Sequence, residues 1–194
     1  MPNICAHMIV AKEVGEKLGI NSFDYYRGNL LPDISKDKDS HHRIDVGPFF
    51  IPDINYFIEN LDLSKDINIG YLVHILLDYH YLTEYIMGLY PNRNIFEEPG
   101  RLVYLDYDYL NHDLVERFNL DTKYLSRGLA YFPMKIDKKK LKFNIRCLNQ
   151  NKVGKTVFLD LDSFANFLEN VSVIISEEMS KYVNKYRDLH VHTR

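Results

Sequence analysis

The stretch from about Asp66 to Tyr90, DINIGYLVHILLDYHYLTEYIMGLY, constrains the folding of this chain more than any other. Its leucines, isoleucines and tyrosines mark it as a buried core helix, yet beyond Gly70 two histidines and two carboxylates stand among them. Each His is followed four residues later by an acid, His74 by Asp78 and His80 by Glu84, and helical geometry puts such pairs one turn apart on one face. An ionisable group on an apolar helix needs a partner to offset its desolvation. The spacing therefore points either to a metal or to an internal ion pair.

The remaining segments organise around that helix. Ile4, His7, Met8, Ala11, Val14 and Leu18 recur at helical spacing after Asn3, a good N-cap, and the pattern ends near Gly19, so His7 faces inward. From Gly28 to Pro52 the periodicity gives way to a long mixed loop, of a length that is usually functional or disordered. Asp53 or a neighbour opens a helix to about Leu61, YPNRNIFEEPG breaks the central helix, and DYDYLNHDLVERFN reads as a further helix. KKLKFNIRCLN and KTVFLDL, separated by QNKVG, read as a small β-hairpin. An amphipathic helix from about Ser163 to Arg187 closes the chain. The expected fold is mainly α, a single domain over residues 1–194, with a helical core over about 1–125 and a hairpin and closing helix over about 128–188.

Composition narrows the setting. A chain of 194 residues with 46% hydrophobic content supports one well-buried core. A formal net charge of -3 gives no reason to expect stable nucleic-acid or anionic-membrane binding through overall charge. Cys5 and Cys147 are too few and too far apart for a disulfide framework or a thiolate zinc site. The N-terminal stretch lacks the basic region of a secretory signal, and no run approaches a transmembrane helix. A cytoplasmic protein is expected, and nothing indicates an oligomeric state.

Four of the eight histidines are followed by an acid at the fourth position: His41 with Asp45, His74 with Asp78, His80 with Glu84, and His112 with Glu116. With 27 acids in the chain, roughly one such pair is expected by chance. A single pair reads as a partly exposed salt bridge. Their conjunction points to metal.

The order is an inward His on the first helix, PD in the following segment, a His shortly after, H-x-x-x-D on a central helix and H-x-x-x-E on a later one. In this order the chain resembles the zinc-dependent phospholipase C family, which shares its helical fold and trinuclear zinc site with the S1/P1-type nucleases. MPNICAHMIVAKEVGEKL and GNLLPDI are similar to the small cytoplasmic bacterial members, and the resemblance spans about residues 1–120. It implies a phospholipase C/P1 nuclease-like helical bundle, two or three zinc ions, and as substrate a phosphodiester small molecule or phospholipid headgroup. One zinc would lie on His41 or His42, His74 and Asp78, with Asp33 as ligand or general base. Asp78 would bridge to a second zinc on His7. The remaining ligand there is an N-terminal Trp in secreted relatives. This chain has no Trp, and the amine of Pro2 is the alternative. A third ion would lie on His112 and Glu116, completed by Glu84, where the relatives carry His, or by His80. A carboxylate at that position shifts preference toward Mn or Fe.

The chemistry such residues support is attack of an activated water on a phosphodiester, with Asp33 orienting or deprotonating it. Two further readings remain open. A non-catalytic helical protein with structural metal fits the missing Trp and the Glu84 departure. An HD-type phosphohydrolase is suggested by His112–Asp113, with Asp160 or Asp162 as the distant acid. The fifteen tyrosines read first as amphipathic core residues, DKKKLK at 137–142 as a solvated hairpin edge, and His190 and His192 as part of a polar terminus.

Overall fold

A computed structural model describes residues 2–46, 49–86, 99–132, 136–150, 152 and 154–191. The first helix, α1 (Ile4–Leu18), is capped as its sequence predicts: the Asn3 side chain accepts from the Ala6 N–H, and Gly19 closes the helix at φ 70°. Buried from Ile4 to Ala11, α1 lies inside the molecule and carries His7 into the core.

The second helix, α2 (Phe23–Ile34), starts at the Ser22 cap and runs through Pro32, so the segment expected to be loop from Gly28 is helical as far as Ile34. The apolar face of Tyr25, Leu30 and Ile34 is buried and outweighs the Pro. Two short strands follow, β1 (Arg43–Val46) and β2 (Phe49–Pro52), paired antiparallel with Ile44 opposite Ile51. Asp53 then caps α3 (Ile54–Asn60).

The central helix, α4 (Asp66–His80), continues into a π-helical turn over Tyr81–Ile86. The expected extension to Tyr90 and most of the break after it lie outside the described residues. Helices α2 and α4 cross with backbones touching: a Cβ on Gly28 would sit 1.9 Å from the Ile67 carbonyl oxygen, and one on Gly70 1.9 Å from that of Tyr25. Only glycine fits at either position.

Beyond it come α5 (Pro99–Arg117), α6 (Thr122–Leu129), α7 (Lys138–Leu148) and α8 (Leu161–Val191). The last buries Phe164, Leu168, Val171, Ile175, Met179 and Val183, a stripe at helical spacing laid against α1 and α4. Tyr25, Tyr81 and Tyr107 are fully buried, in keeping with the core reading of the tyrosines.

The molecule is mainly helical with one two-stranded antiparallel sheet among the described residues. That sheet lies at 43–52 and not near the C-terminus. KKLKFNIRCLN is not a strand but most of α7: Asp137 accepts from the N–H groups of Lys139 (2.8 Å) and Lys140 (3.2 Å), and Leu141, Ile145 and Leu148 turn inward while Phe143 is left exposed. KTVFLDL is not a strand either. The buried Asp106 carboxylate accepts from the N–H groups of Val157, Phe158 and Leu159 at 2.6–3.0 Å, which takes the donors a sheet would need. DKKKLK is accordingly a helix start. No helix among the described residues is long and apolar enough to cross a membrane.

Candidate metal centre

Three helices and one loop deliver His7, Asp33, His41, His74 and Asp78 to one place. Asp78 is fully buried on α4, with both oxygens facing imidazoles: Oδ1 lies 3.5 Å from His7 Nε2, and Oδ2 lies 3.4 Å from both His74 Nε2 and His41 Nε2. The His7 and His74 rings stack in parallel, 3.7 Å between centroids and 5° between planes. Parallel rings thereby aim their Nε2 atoms at the two oxygens of one carboxylate. Asp33, on the last turn of α2 and not in a loop, brings Oδ1 to 3.8 Å from His41 Nε2 and 3.9 Å from His74 Nε2.

Hydrogen bonds set the tautomers of two of these rings. His74 Nδ1 lies 2.7 Å from the Asn29 carbonyl, which only accepts, so in the neutral ring the proton is on Nδ1 and the Nε2 lone pair faces Asp78. Ser40 Oγ donates to the Pro32 carbonyl at 2.8 Å and so receives from His41 Nδ1 at 3.1 Å, leaving His41 Nε2 unprotonated as well. The Tyr71 hydroxyl donates to the Ser40 carbonyl and holds this loop against α4. His41 Nε2 and His74 Nε2 are 3.3 Å apart. Two lone pairs and a carboxylate oxygen in mutual contact repel one another unless positive charge joins them.

The distances fit an ion. Zinc bonds nitrogen at about 2.0–2.1 Å, which places the ligand atoms of a tetrahedral site about 3.3–3.4 Å apart. His41, His74 and Asp78 match that spacing, and Asp33 stands slightly outside it. The nitrogens of His7 and the oxygens of Asp78 are buried without a hydrogen bond among the described residues. A plain internal ion pair would close such contacts to ordinary hydrogen-bond length.

The protonation preferences of His7 and His41 suit ligation, whereas His74 favours a proton in the metal-free protein. Burial, with help from His74, pulls His41 down to about 4 and lowers His7 too, so both are neutral at pH 7. Burial opposes charge on His74 and Asp78 as well, but each overcomes it through the other: Asp78 and Asp33 raise His74, and His74 and His7 hold Asp78 well below the usual carboxylate range. In metal-free protein this pair therefore competes for the charge that a cation would otherwise supply. Cys5, pushed up to about 12 by burial, stays a thiol.

The remaining candidates stand elsewhere. His42 occupies a left-handed conformation at φ 38°, stacks on Tyr56 at 3.6 Å and meets Asp39 at 3.2 Å, so the structure brings in His41 and turns its neighbour out. The His41–Asp45 spacing forms no pair, because Asp45 is exposed on β1. Glu84 binds His80 Nδ1 at 2.5 Å, and Glu178 on α8 takes the other ring nitrogen at 3.2 Å. His112 and Glu116 form an exposed pair at 3.4 Å on α5. Glu84, His112 and Glu116 do not converge within ligand distance among the described residues, so the expected third site is not assembled. Asp113 is exposed, Asp160 caps Ser163 of α8 and Asp162 pairs with Arg117, which leaves the HD arrangement without a cluster.

Sequence reasoning missed Asn29 and Ser40, the groups that orient the imidazoles. Ser40 stands directly before His41 and gave a weak signal; Asn29 acts through its backbone carbonyl, which no side-chain pattern reveals. Compared with known proteins, the chain matches no family model, no curated protein and no solved structure.

Proposed function

We propose that this protein is a metal-dependent phosphodiester hydrolase of the zinc-dependent phospholipase C type, acting through two divalent ions that share Asp78. One observation carries the reading: a fully buried carboxylate faced on both oxygens by imidazole nitrogens at 3.4–3.5 Å, two of which have their lone pairs turned inward. His41, His74 and Asp78 Oδ2 would hold one ion with Asp33 beside it, and His7 with Asp78 Oδ1 would hold the second. Divalent zinc in such a site supplies Lewis acidity, lowering the pKa of a coordinated water and offsetting charge on phosphoryl oxygens.

The chain's own residues do the rest. Asp33 is partly exposed and borders a cavity of about 710 Å³, so it is the carboxylate that reaches an attacking water, orients it and takes up its proton. Ser40 and the Asn29 carbonyl keep His41 and His74 in the tautomers that ligate. The stacked His7 and His74 rings are both buried and form the inner side of the centre.

Protein purified without chelator should carry about two zinc ions per chain and hydrolyse a nitrophenyl phosphodiester, with activity lost on chelation and restored by zinc. Asp78→Asn and His74→Ala should lose metal and hydrolysis together. Full metal content and activity in the Asp78→Asn protein would overturn the assignment. The unassembled third site favours a second reading, a structural metal without catalysis. One tightly held ion and no hydrolysis would select it.

A further inference from the structure

The cavity that opens at Asp33 is walled by the start of α1, the end of α2, β1, α5 and α7. Its volume of about 710 Å³ lies within the range of small-molecule sites. Arg43, Lys139 and Lys140 line it together with Phe143, which stands one turn beyond Lys139 on α7. The lysines occupy the first turn of α7, and that turn is tied to the end of the helix that carries Asp33. Asp137 N–H donates to the Ile34 carbonyl at 2.9 Å, and Lys140 Nζ donates to the Ser35 carbonyl at 3.3 Å. The cationic wall thus has a fixed place relative to the metal centre.

The wall carries three cations against two acids, Asp33 and Asp108. Asp108, the other acid on the wall, is taken by Lys152 at 2.5 Å, and among the described residues no carboxylate forms an ion pair with Arg43, Lys139 or Lys140. Three cations gathered in one cavity of a chain whose net charge is -3 are a local reversal of sign. The scissile phosphate would lie at the metal centre, so these cations face some other part of the substrate.

We infer that Arg43, Lys139 and Lys140 form an anion subsite for a second phosphate on the substrate, with the part of the molecule that joins the two phosphates lying against the exposed ring of Phe143. The inference rests on the hydrolase reading for the position of the scissile group. The second phosphate belongs either to a soluble phosphorylated diester or to a phosphorylated lipid headgroup, which share this chemistry.

Zinc-loaded protein would be assayed on the nitrophenyl ester of thymidine phosphate, with and without a second phosphate on the sugar. Wild type should favour the doubly phosphorylated ester in kcat/KM by about tenfold, mainly through KM. The Arg43→Ala, Lys139→Ala, Lys140→Ala triple variant should lose that preference, whereas Lys139→Arg with Lys140→Arg should keep it. Matching thermal melts would show that the variants are folded. Calorimetric titration with pyrophosphate reads the subsite without turnover, and its Kd should rise about tenfold in the triple variant. Sedimentation with phosphatidylcholine vesicles containing phosphatidylinositol phosphate separates the two sources. Pelleting that the triple variant loses assigns the lipid; absence of pelleting with the ester preference intact assigns the soluble diester. If neither ester is cleaved, the hydrolase reading fails while pyrophosphate binding still decides the subsite. An unchanged pyrophosphate Kd in the triple variant overturns the inference.

Discussion

Adjacent residues can have opposite fates, and His41 and His42 show why. The chain leaves α2, turns through Ser35–Ser40 and presents His41 to the core, because Ser40 is pinned by Pro32 on one side and Tyr71 on the other. One residue later the left-handed backbone at His42 rotates its ring onto Tyr56. Asp33 is the most exposed member of the cluster and the farthest from its neighbours, so Asp33→Asn should lower turnover by about tenfold or more while leaving most of the zinc in place. Parallel metal analysis and kinetics on one preparation test this; equal activity would remove Asp33 from the mechanism. Glu84 is half-exposed and held by His80, so Glu84→Ala should leave zinc content unchanged and cost about 0.5 kcal/mol of stability. A zinc titration that lost a site in this variant would restore Glu84 as a ligand.

At the scale of elements, the crossing of α2 and α4 sets the centre's geometry. Their backbones touch at Gly28 and Gly70, which brings the Asn29 carbonyl within bonding distance of His74 and places Asp33 one turn beyond. Gly70→Ala would drive a methyl group into the Tyr25 carbonyl and should cost about 3 kcal/mol or more in urea unfolding. Zinc affinity should fall too, since separating the helices withdraws the support of His74. A variant with unchanged unfolding midpoint would show that the crossing yields without strain. The elements misread from sequence follow the same logic. Leu141, Phe143, Ile145 and Cys147 alternate as a strand would, but the Asp137 cap and the inward Leu141, Ile145 and Leu148 make them a helix. The real strands, RIDV and FFIP, are four residues each; the first is exposed throughout and the second buries the adjacent Ile51 and Pro52, so neither shows an alternating pattern to read.

For the whole molecule, burying the cluster makes stability depend on pH in both directions. His7 and His41 have folded pKa values below 6.5, so the unfolded chain takes up protons that the folded one refuses, and their contribution is lost as pH falls below about 6.5. The depressed Asp78 acts in the same sense at lower pH. His74 is raised, so its contribution is full below about 6.5 and is lost as pH rises through its folded value. Chelated protein should therefore melt highest near pH 6.5, and added zinc should raise Tm most on the alkaline side, where no proton competes for His74. Melting curves from pH 5 to 9, with chelator and with zinc, check this. A zinc effect that grew toward acid would contradict ligation by these imidazoles.

Local chemistry made the helices legible in the sequence. Caps at Asn3 and Asp53, the stripe of α8 and the apolar run of α4 each act over a few residues, and the inward course of His7 and the His74–Asp78 face follow from helical period alone. What required the tertiary structure was every relation between segments distant in the chain. Asp106 captures the donors of Val157 to Leu159 some fifty residues away, converting an expected strand into a pinned connection. The lysines of α7 read alone as a solvated edge, and only docking of that helix on the end of α2 turns them toward Asp33. Likewise His112–Glu116 has the same spacing as His74–Asp78, but α5 leaves its pair at the surface while α4 buries its own. Spacing specifies which side chains share a face; only packing decides whether that face meets water or three imidazoles.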